Sequence, residues 1–292
     1  MFQGVFTALA TPFKGDALDE DALAALVDDQ FANGIAGVVP VGTTGESPTL
    51  NNEEHIRVVE IAAQAANGRG AVIAGTGSNS TDEAIALTQR AEAVGATGFL
   101  QVAPYYNKPS PEGLFRHFKA VADATDKPII LYSIPGRCGI AIDVPTVARL
   151  AEACPNIVAI KEAGGQSERV NQLCAALPES FDVLCGDDAI TLPFMSVGAR
   201  GVVSVASNLI PGPMSEMVAK MLAGDLAGAL AIHRRYYPLF AALLKLDTNP
   251  VPIKAALGLA GKMDPGVRLP LAPLSGEGTA ELRGILEALG IV

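Results

Sequence analysis

The sequence predicts an α/β chain closed into a (β/α)8 TIM barrel with a C-terminal helical appendage packed on it. Three observations carry that prediction. Eight short apolar β-type runs recur as far as Val205, amphipathic stretches separate them at even spacing, and from about Gly224 the pattern is wholly helical. The expected division is a catalytic barrel over 1–223 and a helical domain over 224–292.

The first run, Gly4–Ala8, is followed by Thr11-Pro12-Phe13-Lys14, where a doubly wound dinucleotide-binding sheet would carry its Gly-rich turn. Helix Asp19–Asn33 ends at Gly34. Run Gly37–Val41 leads to helix Glu53–Asn67, with Asn52 as its cap and Gly68 as its stop. Run Ala71–Ala74 precedes Thr81–Val94, flanked by Ser80 and Gly95; between them, Gly75-Thr76-Gly77 lacks a third glycine and reads as a tight turn. Gly98–Ala103 is paired with Pro111–Ala124 behind Ser110, and Ile129–Tyr132 with Val144–Ala153 behind Asp143. Ile157–Lys161 is followed by Ser167–Leu177, and the last two runs are Val183–Leu184 and Gly201–Val205. Helices are expected over Asp225–Lys245, Pro252–Gly261 and Thr279–Leu289, with Pro250, Pro252, Pro265, Pro270 and Pro273 punctuating the joins.

A hydrophobic share of 49% and a charged share of 18% are those of a globular protein, and a net charge of -10 argues against a nucleic-acid surface. Cys138, Cys154, Cys174 and Cys185 are scattered without a CxxC pair, which suits a reduced, cytoplasmic chain and no structural metal. Met1 to Phe13 lacks the basic start and long apolar core of a signal peptide, and the apolar stretch Tyr236–Leu246 is shorter than the roughly 20 residues that span a bilayer, so no membrane association is expected.

In a barrel of this kind the chemistry collects at the C-terminal ends of the strands. Those ends carry Gly42-Thr43-Thr44-Gly45-Glu46, Pro104-Tyr105-Tyr106-Asn107, Tyr132-Ser133 running on to Arg137, Lys161, Gly186-Asp187-Asp188 and Ser204. Alternation in the sixth run puts Ile157, Ala159 and Lys161 on one face and Val158 and Ile160 on the other. A strand-end lysine ordinarily snorkels to water; burial instead lowers its pKa and frees an amine that attacks ketones. Taken singly, the threonines read as a helix cap, the tyrosines as rim packing, Arg137 as a turn residue and Asp187-Asp188 as a cap for the seventh helix. Together, an amine, two phenols, two hydroxyls and a forked cation form a set suited to imine chemistry on a carboxylate-bearing ketone. His55, His117 and His233, the only histidines, each fall in a helical stretch, which argues against a histidine-rich metal site; GxSxG and GxxxxGK[ST] are absent.

Four motifs in order, Gly42–Glu46, Tyr105-Tyr106-Asn107-Lys108-Pro109, Tyr132–Arg137 and Ile160-Lys161-Glu162-Ala163, resemble those of the dihydrodipicolinate synthase family, the class I lyases and aldolases that include N-acetylneuraminate lyase. The resemblance runs from Val5 to Arg268-Leu269-Pro270. It implies that Lys161 forms a Schiff base with pyruvate without a cofactor, that Tyr132 exchanges protons over that imine, and that Thr43 and Tyr106 complete a relay, Tyr106 reaching into a neighbouring subunit's site. Thr44 and the backbone at Val203 would hold the pyruvate carboxylate and keto region. Arg137 would bind the carboxylate of L-aspartate 4-semialdehyde, and condensation and cyclisation would yield 4-hydroxy-tetrahydrodipicolinate, on the way to diaminopimelate and lysine. A homotetramer built as a dimer of dimers is implied, and Ser47, His55, Asn79, Glu83 and Tyr105 match a lysine-inhibitor site found in some members. Double threonine at Thr43-Thr44 and the clamp Arg137 favour the synthase over sugar-acid lyases. Ser133 and Cys138 depart from the asparagine and threonine that the family more often carries, and Pro48 and Asn52 from the alanine and histidine of its strongly inhibited members. Two other readings stand beside this one: a pyruvate-dependent aldolase acting on a sugar acid or hydroxy-oxo-acid, and a catalytically silent barrel that senses lysine or a keto acid.

Overall fold

A computed structural model describes residues 2–292; Met1, the first residue of the segment tested for a signal peptide, lies outside them. Eight parallel strands close into a barrel: β1 (Gly4–Ala8), β2 (Gly37–Val39), β3 (Ala71–Gly75), β4 (Gly98–Val102), β5 (Ile129–Ser133), β6 (Ile157–Glu162), β7 (Asp182–Cys185) and β8 (Gly201–Ser204). Strand β1 pairs with both β2 and β8, so no edge is left open. The expected (β/α)8 barrel is therefore the observed fold.

Helices α1 (Glu20–Ala32), α2 (Asn52–Ala66), α3 (Thr81–Ala93), α4 (Pro111–Ala122), α5 (Val144–Ala153) and α6 (Ser167–Ala176) fall within a few residues of their expected spans. Ser80, Ser110 and Asp143 cap α3, α4 and α5 as expected, each accepting a backbone N–H from the first turn. The cap of α2 is Asn51 and not Asn52: its side chain accepts from Glu53 and Glu54 N–H while Glu54 reaches back to the Asn51 N–H, a reciprocal box that Asn52 has no partner to make. Helices not singled out from sequence are α7 (Thr191–Ser196), α8 (Pro211–Leu222) and the single turn Pro135–Cys138, which carries Arg137. A small antiparallel hairpin, Phe13–Lys14 with Ala17–Leu18, also precedes α1.

Strand residues sort into two layers. Val5, Val38, Val72, Leu131, Ile160 and Val202 join the core between strands and helices, whereas Phe6, Val39, Ile73, Leu100, Ile130, Tyr132, Ala159, Leu184 and Val203 fill the barrel interior. In β6 the sequence expectation is corrected. Ile129 pairs with Ile157 but Ile130 pairs with Ala159, so Val158 is the extra residue of a β-bulge. Ile157 consequently packs in the outer layer, Val158 leans on the interior, and only Ala159 and Lys161 keep the inward face. The bulge resets the register that brings Lys161 level with Tyr132.

Beyond the barrel lie α9 (Leu226–Lys245), α10 (Val251–Leu259) and α11 (Gly276–Leu289). Helix α9 packs on α8 and α11, and α10 packs on α11 and on the turn after β8. The first seven residues of α10, Val251–Leu257, are buried, including Lys254. No helix among the described residues is long and apolar enough to cross a membrane.

Candidate active site

Lys161 leaves β6 pointing into the barrel mouth, almost fully buried, with its Nζ 4.2 Å from the centroid of the Tyr132 ring on the neighbouring strand. The buried ion pairs lie elsewhere, Lys254 with Glu46 and Arg169 with Glu162, so no carboxylate of the described residues pairs with this amine. Burial pulls its pKa down to about 8, against the opposing pull of the Asp188 carboxylate. Gly186, at the end of β7, leaves room for the lysine stem: a Cβ there would stand 3.1 Å from Lys161 Cε and 2.7 Å from Ala163 Cβ.

Burial also pushes the Tyr132 phenol up to about 12, while Arg137 and a side-chain hydrogen bond with Thr43 oppose the rise. At neutral pH the phenol is protonated and is positioned to donate. The amine therefore lies against the ring of the phenol whose hydroxyl Thr43 influences.

Thr43, Tyr132 and Arg137 line a cavity of about 510 Å³ that runs on past Ser47, His55, Glu83 and Tyr105. Thr43 and Tyr132 of the sequence-derived catalytic set and Ser47, His55, Glu83 and Tyr105 of the inhibitor set therefore share one cavity wall. Lys161 is outside that wall, behind residues that form it. Thr44 is not among the lining residues; it is 3% exposed, and its Oγ1 accepts a hydrogen bond from Asn249 Nδ2 at 2.9 Å. Val203 is part of the interior cluster with Tyr132 and Ala159. Asn79 is tied to the same region by donating from Nδ2 to the Tyr105 carbonyl at 3.2 Å. Within the cavity, burial lowers the His55 pKa to about 4, which keeps the ring neutral near pH 7. Tyr106 also stays outside the cavity. Its side chain is 89% exposed, its φ of 73° is left-handed, and the single chain does not bring it to the cavity.

The aspartate pair divides its work. Asp187 does cap, accepting from the Ala189 N–H at 2.9 Å. Asp188 does not: its Oδ2 accepts from the Val205 and Ala206 N–H groups at 3.0 and 2.8 Å, tying the end of β7 to the turn after β8. The cap expected of both residues is corrected for Asp188, because two backbone donors converge on it across the barrel mouth. Burial raises its pKa to about 6. Sequence reasoning missed Asn249 as well, whose carbonyl accepts from Arg137 Nη2 at 3.1 Å. No group of three or more His, Cys, Asp or Glu among the described residues is arranged to hold a metal ion.

A closed parallel barrel with a buried amine and phenol level at its C-terminal mouth defines the class of (β/α)8-barrel enzymes whose active face carries a lysine. Comparison with known proteins narrows the class. The model of the dihydrodipicolinate synthetase family matches residues 1–289. The 4-hydroxy-tetrahydrodipicolinate synthase of Geobacter sp. (strain M21) is 49% identical over 292 residues, covering 100% of both chains. The solved 4-hydroxy-tetrahydrodipicolinate synthase from the thermoacidophilic methanotroph Methylacidiphilum fumariolicum SolV matches with a TM-score of 0.98 at 53% identity, over 99% of this chain and 96% of that one. Dihydrodipicolinate synthase from Aquifex aeolicus matches with a TM-score of 0.98 at 46% identity, over 99% of both chains. The chain belongs to the dihydrodipicolinate synthetase family.

Proposed function

We propose that this chain is a lyase of lysine and diaminopimelate biosynthesis that condenses pyruvate with L-aspartate 4-semialdehyde to 4-hydroxy-tetrahydrodipicolinate. The observation that carries the reading is Lys161: a buried amine with a lowered pKa, paired with no carboxylate of the described residues, lying against the ring of Tyr132. The neutral amine attacks the keto carbon of pyruvate, and its two N–H protons pass in turn through Tyr132 to the former carbonyl oxygen, the first giving the carbinolamine and the second releasing water to leave the imine. Loss of a methyl proton gives the enamine, whose carbon attacks the aldehyde. The amino group of the second substrate then closes on the imine carbon and releases Lys161. The imine itself is the electron sink, so the reading calls for no cofactor and no metal.

Thr44 and the Val203 backbone are assigned to the pyruvate carboxylate and keto region, Arg137 to the carboxylate of the semialdehyde. Tyr106, exposed in one chain, is assigned to a neighbouring subunit's relay in a homotetramer built as a dimer of dimers. Ser47, His55, Asn79, Glu83 and Tyr105 are assigned to a lysine-inhibitor site. The barrel, 1–223, would hold the chemistry and the appendage, 224–292, would brace it, in the cytoplasm.

Imine formation should follow the amine's titration. Because only the neutral form attacks, the initial rate of pyruvate trapping by borohydride should rise about tenfold per pH unit below pH 8 and level above it. A rate flat between pH 6 and 9 would contradict a free-amine nucleophile with this pKa. The substrate assignment is tested by Arg137→Ala. Losing one charge-assisted carboxylate contact should lower kcat/KM for the semialdehyde by about 10–150-fold, equivalent to about 1.5–3 kcal/mol, with little change in the half-saturating pyruvate concentration. Equal losses for both substrates would remove Arg137 from the second-substrate role, and a higher kcat/KM for a sugar acid would overturn the synthase reading.

A further inference from the structure

We propose that Asn249, from the helical appendage, is a positioning residue that turns the Thr44 hydroxyl into an obligate donor toward the bound keto acid. The inference rests on the assignment of Thr44 to the pyruvate carboxylate and goes beyond it by stating what sets that hydroxyl's polarity. A threonine hydroxyl has one proton and two acceptor lone pairs, and its rotor turns to suit its neighbours. Here Asn249 Nδ2 donates to Thr44 Oγ1 at 2.9 Å in a buried contact, which occupies a lone pair. The Thr44 side chain makes no other hydrogen bond among the described residues, so its proton has no competing acceptor in the protein. A hydroxyl fixed as acceptor on one side and unclaimed as donor on the other suits an anion and is mismatched to a cation or a donor.

The same residue also reaches the second-substrate clamp. Its backbone carbonyl accepts from Arg137 Nη2 at 3.1 Å, while its Oδ1 is buried with no hydrogen-bond partner among the described residues. Asn249 thus joins the loop after β2 to the loop after β5 from outside the barrel. Leaving Oδ1 unsatisfied costs stability, a cost retained where a donor is required at Nδ2.

Asn249→Asp tests the polarity because it keeps the side chain's shape and replaces the NH2 donor with a carboxylate acceptor. Thr44 must then donate to residue 249 and present a lone pair to the substrate carboxylate. The half-saturating pyruvate concentration, read as borohydride-trapped adduct on Lys161 by mass spectrometry, should rise by about 10-fold or more. The ratio to wild type at the same pH should fall back toward one when acid protonates the introduced carboxylate and restores a donor. Asn249→Ala, which removes the donor without adding an acceptor, should raise the same concentration by about 3-fold or more. That effect should disappear in a Thr44→Val background. Thermal melting identifies any variant that fails to fold; if Asn249→Asp does, the alanine variant and its coupling to Thr44 decide. Wild-type half-saturation in a folded Asn249→Asp, or effects of Asn249→Ala and Thr44→Val that simply add, would overturn the proposal. Absence of any adduct in the wild-type protein would instead overturn the pyruvate reading on which it rests.

Discussion

Replacing Lys161 with alanine should abolish condensation, lowering kcat by about 10⁴-fold or more, and should eliminate the borohydride-trapped pyruvate adduct. The size of the effect follows from the step removed, a covalent one for which the site offers no second amine. Lys254, in α10, is the other buried lysine, and its Nζ is bound to the Glu46 carboxylate. Lys161→Arg should be as inactive as the alanine variant, since a guanidinium keeps the charge but supplies no nucleophilic amine. That comparison separates a nucleophile from a cation that merely binds the carboxylate. Turnover above about one-hundredth of wild type in either variant would contradict the imine mechanism, as would an adduct that persists on another residue. If both variants were inactive and the wild type were inactive too, the barrel would be a sensor.

The strands were legible because each is a short apolar run with turn residues on both sides, a signal that does not depend on the partner strand. The bulge at Val158 was not, because it exists only relative to β5: nothing within Ile157–Lys161 says that Ile130 will pair with Ala159. Helix α8 was hidden by Pro211-Gly212-Pro213, which reads as loop punctuation although the first turn of a helix tolerates proline. Helix α7 spans only six residues and was too short for a periodic pattern. The cap at Asn51 was available in principle, since Glu54 stands three residues on, but the adjacent Asn52 masked it. In the candidate site, Lys161, Tyr132, Thr43 and Arg137 are proposed from sequence because the barrel rule assigns chemistry to strand ends. Asn249 could not be, for its partners Thr44 and Arg137 lie 205 and 112 residues away and its own stretch reads as a join between helices.

Glu46 poses the same long-range problem, and its solution gives the second large expectation. This carboxylate ends the Gly42–Glu46 loop, and its side chain and that of Lys254 are both 0% exposed. Lys254 Nζ donates to Glu46 Oε1, and the Arg268 backbone N–H donates to Oε2 at 3.1 Å. Phe13 lies against both cations, 4.1 Å from Lys254 Nζ and 4.2 Å from Arg268 Cζ, so the pair is enclosed by an aromatic face as well as by protein. Lys254→Met keeps most of the volume and strands the acid. Breaking a buried pair from one side costs about 3–5 kcal/mol because the remaining charge loses its counter-ion, roughly 5–8 °C in Tm for a chain of this size. Removing both charges in Glu46→Gln, Lys254→Met should recover part of that loss, since the stranded carboxylate is the main penalty. The single variant should also lower kcat/KM, because Glu46 anchors the loop that carries Thr43 and Thr44. A Tm for Lys254→Met within about 2 °C of wild type would show that water or another cation reaches Glu46, and that the appendage does not hold this loop through charge.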